Sequence, residues 1–222
     1  MTFSLVVRDG SAFGMVVCSS SPAVASRCVH LRAGVGAVAS QNVTNPNLGF
    51  VALEALAGGA DAATALAAAV TAERHPEYRQ LIVVDRTGGT AIHTGAQALG
   101  IRHEVRAEDV AAAGNMLSDA GVIQALVDGY SASTAPALER RLLDGLSAAL
   151  TAGGEAGPVH SAGLQVTADV AWPVTDLRVD WHDDPIAELH RLWTVWEPQK
   201  ADYRTRGLDP TAAPSYGVPG DL

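Results

Sequence analysis

A hydroxyl residue stands second in the chain, at the head of an apolar run, Met1-Thr2-Phe3-Ser4-Leu5-Val6-Val7. Bacterial-type processing removes an initiator Met when a small residue follows. That would leave Thr2 carrying a hydroxyl nucleophile and its own α-amine as the base, one of the recognised ways to activate threonine. An α-amine titrates near ~8, so a useful fraction is neutral and basic at physiological pH. The plain alternative is an inert Met-Thr start, and a chain that keeps Met1 has no free amine on Thr2. Ser4 shares Thr2's strand face by the period of two and could bond the amine or a bound water, or be a small polar residue beside a terminus. Attack on an amide also needs donors aimed at the developing oxyanion. Asn115 is the candidate, with Gly114 permitting close approach; a turn or cap before Ser118 is the equal alternative. Gln41 ends a strand of small residues that could pair beside Thr2. Arg79 can hold a carboxylate bidentately, or pair internally with Glu73, Glu77 or Asp85.

Other chemistry is set aside. Lys200 is the only lysine and reads as a solvated helix end. Cys18 and Cys28 suggest neither a disulfide scaffold nor a zinc knuckle. His182, Asp183, Asp184 and His190 are metal-ligand types, but Asp184 has a capping role before Pro185. No tightly bound metal and no organic cofactor are expected, since clustered Cys/His ligand spacing and a Gly-rich phosphate loop are both missing. His93 reads as a hydrogen-bonded structural residue, Arg178 as a surface partner of Asp176 or Asp180, and Trp193 with Trp196 as core or subunit packing.

These residues must be positioned by a chain of 222 residues, 48% hydrophobic, with formal net charge −9. No basic cluster exists, which argues against nucleic acid; no apolar run reaches membrane-span length. The start lacks a secretory n-region and h-region. The expectation is a reduced, cytoplasmic protein, a homo-oligomer, acting on a small molecule. Strands are predicted over 3–8 and 13–18, near 35–40, 79–85, 90–94, 160–167 and 175–181. Helices are predicted from Asn45-Pro46 to Gly58-Gly59, from Asp61 to Glu73, over 119–131 and 135–151, and from the Asp184 cap to Trp196. Doubly apolar strands joined by hairpin turns and alternating with helix pairs fit an α+β, four-layer α-β-β-α sandwich. Residues 1–206 read as one domain, and 207–222, with three Pro and three Gly, as a tail wrapped on the surface or disordered.

Six segments in order, Thr2-Phe3-Ser4, Gly34-Val35-Gly36-Ala37-Val38-Ala39-Ser40-Gln41, Tyr78-Arg79-Gln80 with Val84-Asp85, His93-Thr94-Gly95, Gly114-Asn115-Met116-Leu117 and Leu177-Arg178-Val179-Asp180, resemble the domain of unknown function 1028 family, over about residues 2–196. The resemblance implies a fold of the N-terminal-nucleophile hydrolase type and amide hydrolysis through Thr2. Where relatives tend to show Gly-Asp-x-Arg-Gly-x-Gln-Ser-Ala, this chain has Gly154-Glu155-Ala156-Gly157-Pro158-Val159-His160-Ser161-Ala162. The arginine is gone, the Asp is Glu155, and the Gln is His160, which joins Ser4, Gln41 and Arg79 as a candidate substrate-binding residue. The expected function is a cofactor-free amidohydrolase; the alternative is a catalytically inactive small-molecule-binding protein on the same fold.

Overall fold

The computed structural model describes residues 2–218; Met1, whose removal is expected from the sequence, and the end of the tail, 219–222, lie outside the described residues. Ten strands form two antiparallel sheets. The larger runs β10 (Thr175–Val179), β9 (Ser161–Thr167), β2 (Ala12–Ser19), β1 (Thr2–Asp9), β8 (Val110–Leu117), β7 (Ile101–Ala107). The smaller runs β3 (Val29–Arg32), β4 (Gly36–Asn42), β5 (Arg79–Asp85), β6 (Thr90–Thr94).

Layering follows from the two-residue period of these strands. Phe3, Leu5 and Val7 of β1 pack with Ile123, Leu126, Leu142 and Leu146 on α4 (Gly121–Ala132) and α5 (Leu138–Thr151), and with Leu189 on α6 (Pro185–Trp196). Val6 faces the other way, into a thin inner layer built of Ala37, Ala39, Ile82, Val84, Ala111 and Ala113, where small side chains let the sheets close on each other. Beyond the smaller sheet, Val38, Leu81 and Val83 meet Leu48, Leu53 and Leu56 of α2 (Asn47–Ala57) and the alanines of α3 (Ala62–Ala72). Helices therefore cover both outer faces of a face-to-face sheet pair. Each Leu or Phe buried in the outer layers contributes about 1.5–3 kcal/mol relative to exposure.

The expected caps are present: Asp61 accepts from Thr64 N–H and Asp184 from Ala187 N–H. Strand β3 escaped the sequence pattern, and so did three other elements. One is the four-residue helix α1 (Ala25–Cys28) leading into β3. Another is β7, whose Arg102, His103, Glu104 and Arg106 make it a charged, exposed edge strand with no apolar signature, the usual protection of a sheet edge. The third is α7 (Lys200–Leu208), which carries the chain past Trp196. Lys200 is not a free helix end; its ammonium pairs with the buried carboxylate of Glu139, which also accepts from Thr175 Oγ1. Trp193 is buried in the core, and Trp196 gives its indole N–H to Val174 O and Thr175 Oγ1 and stacks on Tyr203, so both are used within the chain. The described part of the tail folds back, with Tyr216 under the Arg206 guanidinium at 3.9 Å.

Candidate active site

Thr2 is the first residue of β1, a central strand, and is only 4% exposed. On one side β8 brings Asn115 directly opposite it. On the other, β2 brings Ser19, and the Thr2 hydroxyl lies 3.5 Å from Ser19 Oγ. Ser19 Oγ is in turn 2.8 Å from Ser21 Oγ and accepts from Ser21 N–H. A row of hydroxyls thus runs outward from the candidate nucleophile along the segment that follows β2.

Behind Thr2 the inner layer changes from alanine to amide. Ser4 donates to Gln41 Oε1 at 2.7 Å; Gln41 Nε2 donates to Gln80 Oε1 at 2.8 Å and to Ala113 O at 3.1 Å. Asn115 Nδ2 donates to the same Gln80 oxygen at 3.0 Å. Gln80 Nε2 donates to Gly114 O and to Thr94 Oγ1, whose proton goes to Glu104. Ser4, Gln41, Gln80 and Asn115 are all fully buried. In low dielectric a satisfied network of this kind rigidifies its surroundings, and here it ties the larger sheet to the smaller one beside Thr2. One atom is left over: Asn115 Oδ1 is buried with no partner, an omission worth about 1–3 kcal/mol.

The end of β1 is closed by a residue from elsewhere. Helix α5 stops at Gly153 and Gly154, both at positive φ (116° and 58°), the left-handed conformation glycine tolerates. The reversal sends Glu155 into an antiparallel bridge with Leu117 of β8. Ile101 of β7 already occupies the other side of Leu117, so Glu155 takes the lane of β1 itself, just beyond Thr2. From there both carboxylate oxygens accept from Ser20 N–H at 3.2 Å. Burial pushes the Glu155 carboxyl up to about 7, against the opposing pull of the Ser20 N–H bond.

Three of the four non-glycine residues at positive φ among the described residues lie at this end, Ala23 (51°), Asn42 (69°) and Met116 (50°), and the fourth, Asp109 (64°), at the other. Such conformations cost about 1–3 kcal/mol each and cluster where a site over-determines the backbone. A cavity of about 350 Å³ lined by Arg8, Gly10, Ser11, Phe13, Gly34 and Arg86 lies at the opposite end of β1; it holds no nucleophile–base pair.

The sequence candidates separate into two groups. Asn115, Ser4 and Gln41 converge behind Thr2, but Ser4 is spent inward on Gln41 rather than turned to the amine. Gly114 is small for packing: a Cβ there would meet Ile123 and Leu117 within 3 Å. Arg79 does not join the group. Its Nε pairs with Glu73 at 2.9 Å and its Nη1 bonds Val43 O, so the carboxylate-bearing ligand inferred from it loses its support. Asn45 and Arg79 together hold the Glu73 carboxyl down at about 2. His160 gives its backbone N–H to Ser19 O, but its ring turns to stack on Trp181 at 4.3 Å. His93 bonds Pro76 O. Among the described residues, no group of three or more His, Cys, Asp or Glu is placed to hold a metal ion, and no helix is long and apolar enough to cross a membrane.

Gln80, Ser19 and Glu155 were not foreseen. Gln80 was legible: in β5 the inner face takes Gln80, Ile82 and Val84, and the period of two sends Arg79 outward. Ser19 follows from hairpin register alone. Glu155 had no local signal, because its position depends on an irregular bridge.

The model of a family of unknown function, DUF1028, matches residues 2–189. Among solved structures, protein SPO2555 from Silicibacter pomeroyi, of the same family, is 30% identical with a TM-score of 0.83, covering 91% of this chain and 89% of that one. Eukaryotic HslV from Trypanosoma brucei is 12% identical with a TM-score of 0.47, covering 76% of this chain and 99% of that one. No curated protein matches.

Proposed function

The chain belongs to the DUF1028 family, and on that premise we propose that it is a cofactor-free amidohydrolase of the N-terminal-nucleophile type, with Thr2 exposed by loss of Met1 as nucleophile. The observation that carries this reading is the setting of Thr2: enclosed at the head of a central strand, between Ser19 and Asn115, against a fully buried amide network that fixes its neighbours. A threonine at an idle chain start needs no such backing.

In the proposed reaction Thr2 Oγ1 attacks the amide carbon as its proton passes to the Thr2 α-amine. Charge develops on the carbonyl oxygen, and the second Nδ2 hydrogen of Asn115, the first being held by Gln80, is the side-chain donor assigned to it. The C–N bond breaks as the α-ammonium gives its proton to the leaving amine, leaving an ester on Thr2. Water repeats the sequence on that ester and releases the acid. Ser19 and Ser21 line the approach. The test is an intact mass of purified protein followed by a panel of small amides assayed with wild type, Thr2→Ser and Thr2→Ala. Loss of Met1, partial activity in Thr2→Ser and loss by orders of magnitude in Thr2→Ala are expected. A mostly Met-retained yet active protein, or normal turnover by Thr2→Ala, rules the reading out.

A further inference from the structure

We infer that Glu155 is the positioning residue for the Thr2 α-amine: its carboxylate accepts an amine N–H and turns the nitrogen lone pair toward Thr2 Oγ1. The inference rests on the Thr2 reading and adds a residue to it. Its basis is placement. Leu117 of β8 is paired on one side with Ile101 and on the other with Glu155, so Glu155 lies in line with β1 and past its first residue. Adjacent strands are ~4.8 Å apart, so the β1 lane it fills separates β2 from β8 by about 10 Å. The carboxylate reaches across that lane to Ser20 N–H, the residue after the one beside Thr2. An amine released at Thr2 therefore opens onto this carboxylate.

The carboxylate has capacity to spare. It is 5% exposed, yet among the described residues the one donor that reaches its oxygens is the backbone N–H of Ser20. A carboxylate offers about four acceptor sites, and a buried one without further donors is costly. Among the described residues no Arg, Lys or His side chain lies within ion-pair distance of it. Among the described residues, the titratable group that faces it is the Cys18 thiol on β2, which burial holds in its neutral form. Burial brings the carboxyl up toward the range of an ordinary α-amine, so the two groups share protons readily. The amine still takes its proton from Thr2; Glu155 fixes where its lone pair points.

The experiment uses full-length protein with Thr2 at its N-terminus, verified by mass. Reductive ¹³C-methylation labels two amines, the α-amine and Lys200, since the chain has one lysine; the Lys200 signal is the internal reference. The α-amine pKa is read by NMR in wild type, Glu155→Gln and Glu155→Asp. Removing a neighbouring negative charge should lower the α-amine pKa by about one pH unit in Glu155→Gln, with Glu155→Asp between the two. The acidic limb of kcat/KM on an amide from the panel should move down by the same amount, which a merely structural role would not cause. An α-amine pKa unchanged in both variants overturns the inference. If Glu155→Gln does not fold, Glu155→Asp decides by the same criterion. If no amide is hydrolysed by wild type, the nucleophile reading fails, while the NMR shift still decides the amine–carboxylate contact.

Discussion

Asn115 is the cross-strand partner of Thr2 and, through an Nδ2–Oε1 bond of 3.0 Å to Gln80, also one of the points where the larger sheet is tied to the smaller. The residue nearest the proposed chemistry is thus also a structural joint, and substitutions there must be read for both effects.

Asn115→Ala should lower kcat by about 10²–10³-fold with little change in KM, the usual cost of one oxyanion donor. Its stability should fall only modestly, because the orphaned Oδ1 leaves together with the bond to Gln80. Kinetics beside a urea melt separate the effects; wild-type kcat in the variant would remove Asn115 from the mechanism.

Gln80→Leu should cost about 3 kcal/mol or more of folding stability, since Gln41 and Asn115 lose their common acceptor and Gly114 O its donor in a dry interior. Urea unfolding monitored by circular dichroism gives the number. A loss below about 0.5 kcal/mol, typical of a surface change, would mean the network is wet or dispensable.

Arg79→Ala should leave KM unchanged, since Arg79 serves Glu73 and not a ligand. Its effect on stability should depend on pH. The folded-state pKa of Glu73 lies at about 2, below the ordinary value of 4.5, so its contribution is present above ~4.5 and lost as pH falls toward 2. The difference in melting between wild type and Arg79→Ala should therefore be constant above pH ~5 and shrink as acid is added. A difference that grows in acid contradicts the assignment.

Glu155 acts with the opposite sign. Its folded-state pKa is raised from 4.5 to about 7, so the native state holds the proton longer than the unfolded chain. Stability is then full below ~4.5 and declines as pH rises to about 7. Glu155→Gln, which keeps an acceptor for Ser20 N–H, should melt near wild type at pH 4 and above it at pH 8. Parallel curves across that range would show that the carboxyl is not desolvated.

The layers were legible because both sheets are covered and the apolar faces of β1, β4 and β5 leave little choice of side. Thr2 could be named from its hydroxyl behind the initiator Met, Asn115 from the Gly114 beside it, and Gln41 from the end of its strand. Arg79 misled because a charged residue before a strand invites a ligand, whereas its face, read by alternation, belongs to the outer layer. Glu155 in sequence is only the residue standing where relatives tend to show Asp; its entry into the path of β1 depends on tertiary placement. β7 was missed for a different reason, since an edge strand protected by charge erases the pattern by which strands are recognised.

Glu104 on that same exposed strand reaches further inward than its position suggests. An ionised carboxylate can only accept, so Thr94 must give its hydrogen outward and receive from Gln80. Gln80 must then present its oxygen to Gln41 and Asn115 alike, and both amides are compelled to point their nitrogens at it. The Gly114 and Ala113 carbonyls, which can only accept, hold Gln80 and Gln41 to the same heading, and the row ends with the Asn115 nitrogen on Gln80. A solvent-facing acid on the margin of the sheet and two buried carbonyls thereby agree on one heading for the sealed amides beside Thr2, and neutralising that acid alone would not turn the file around.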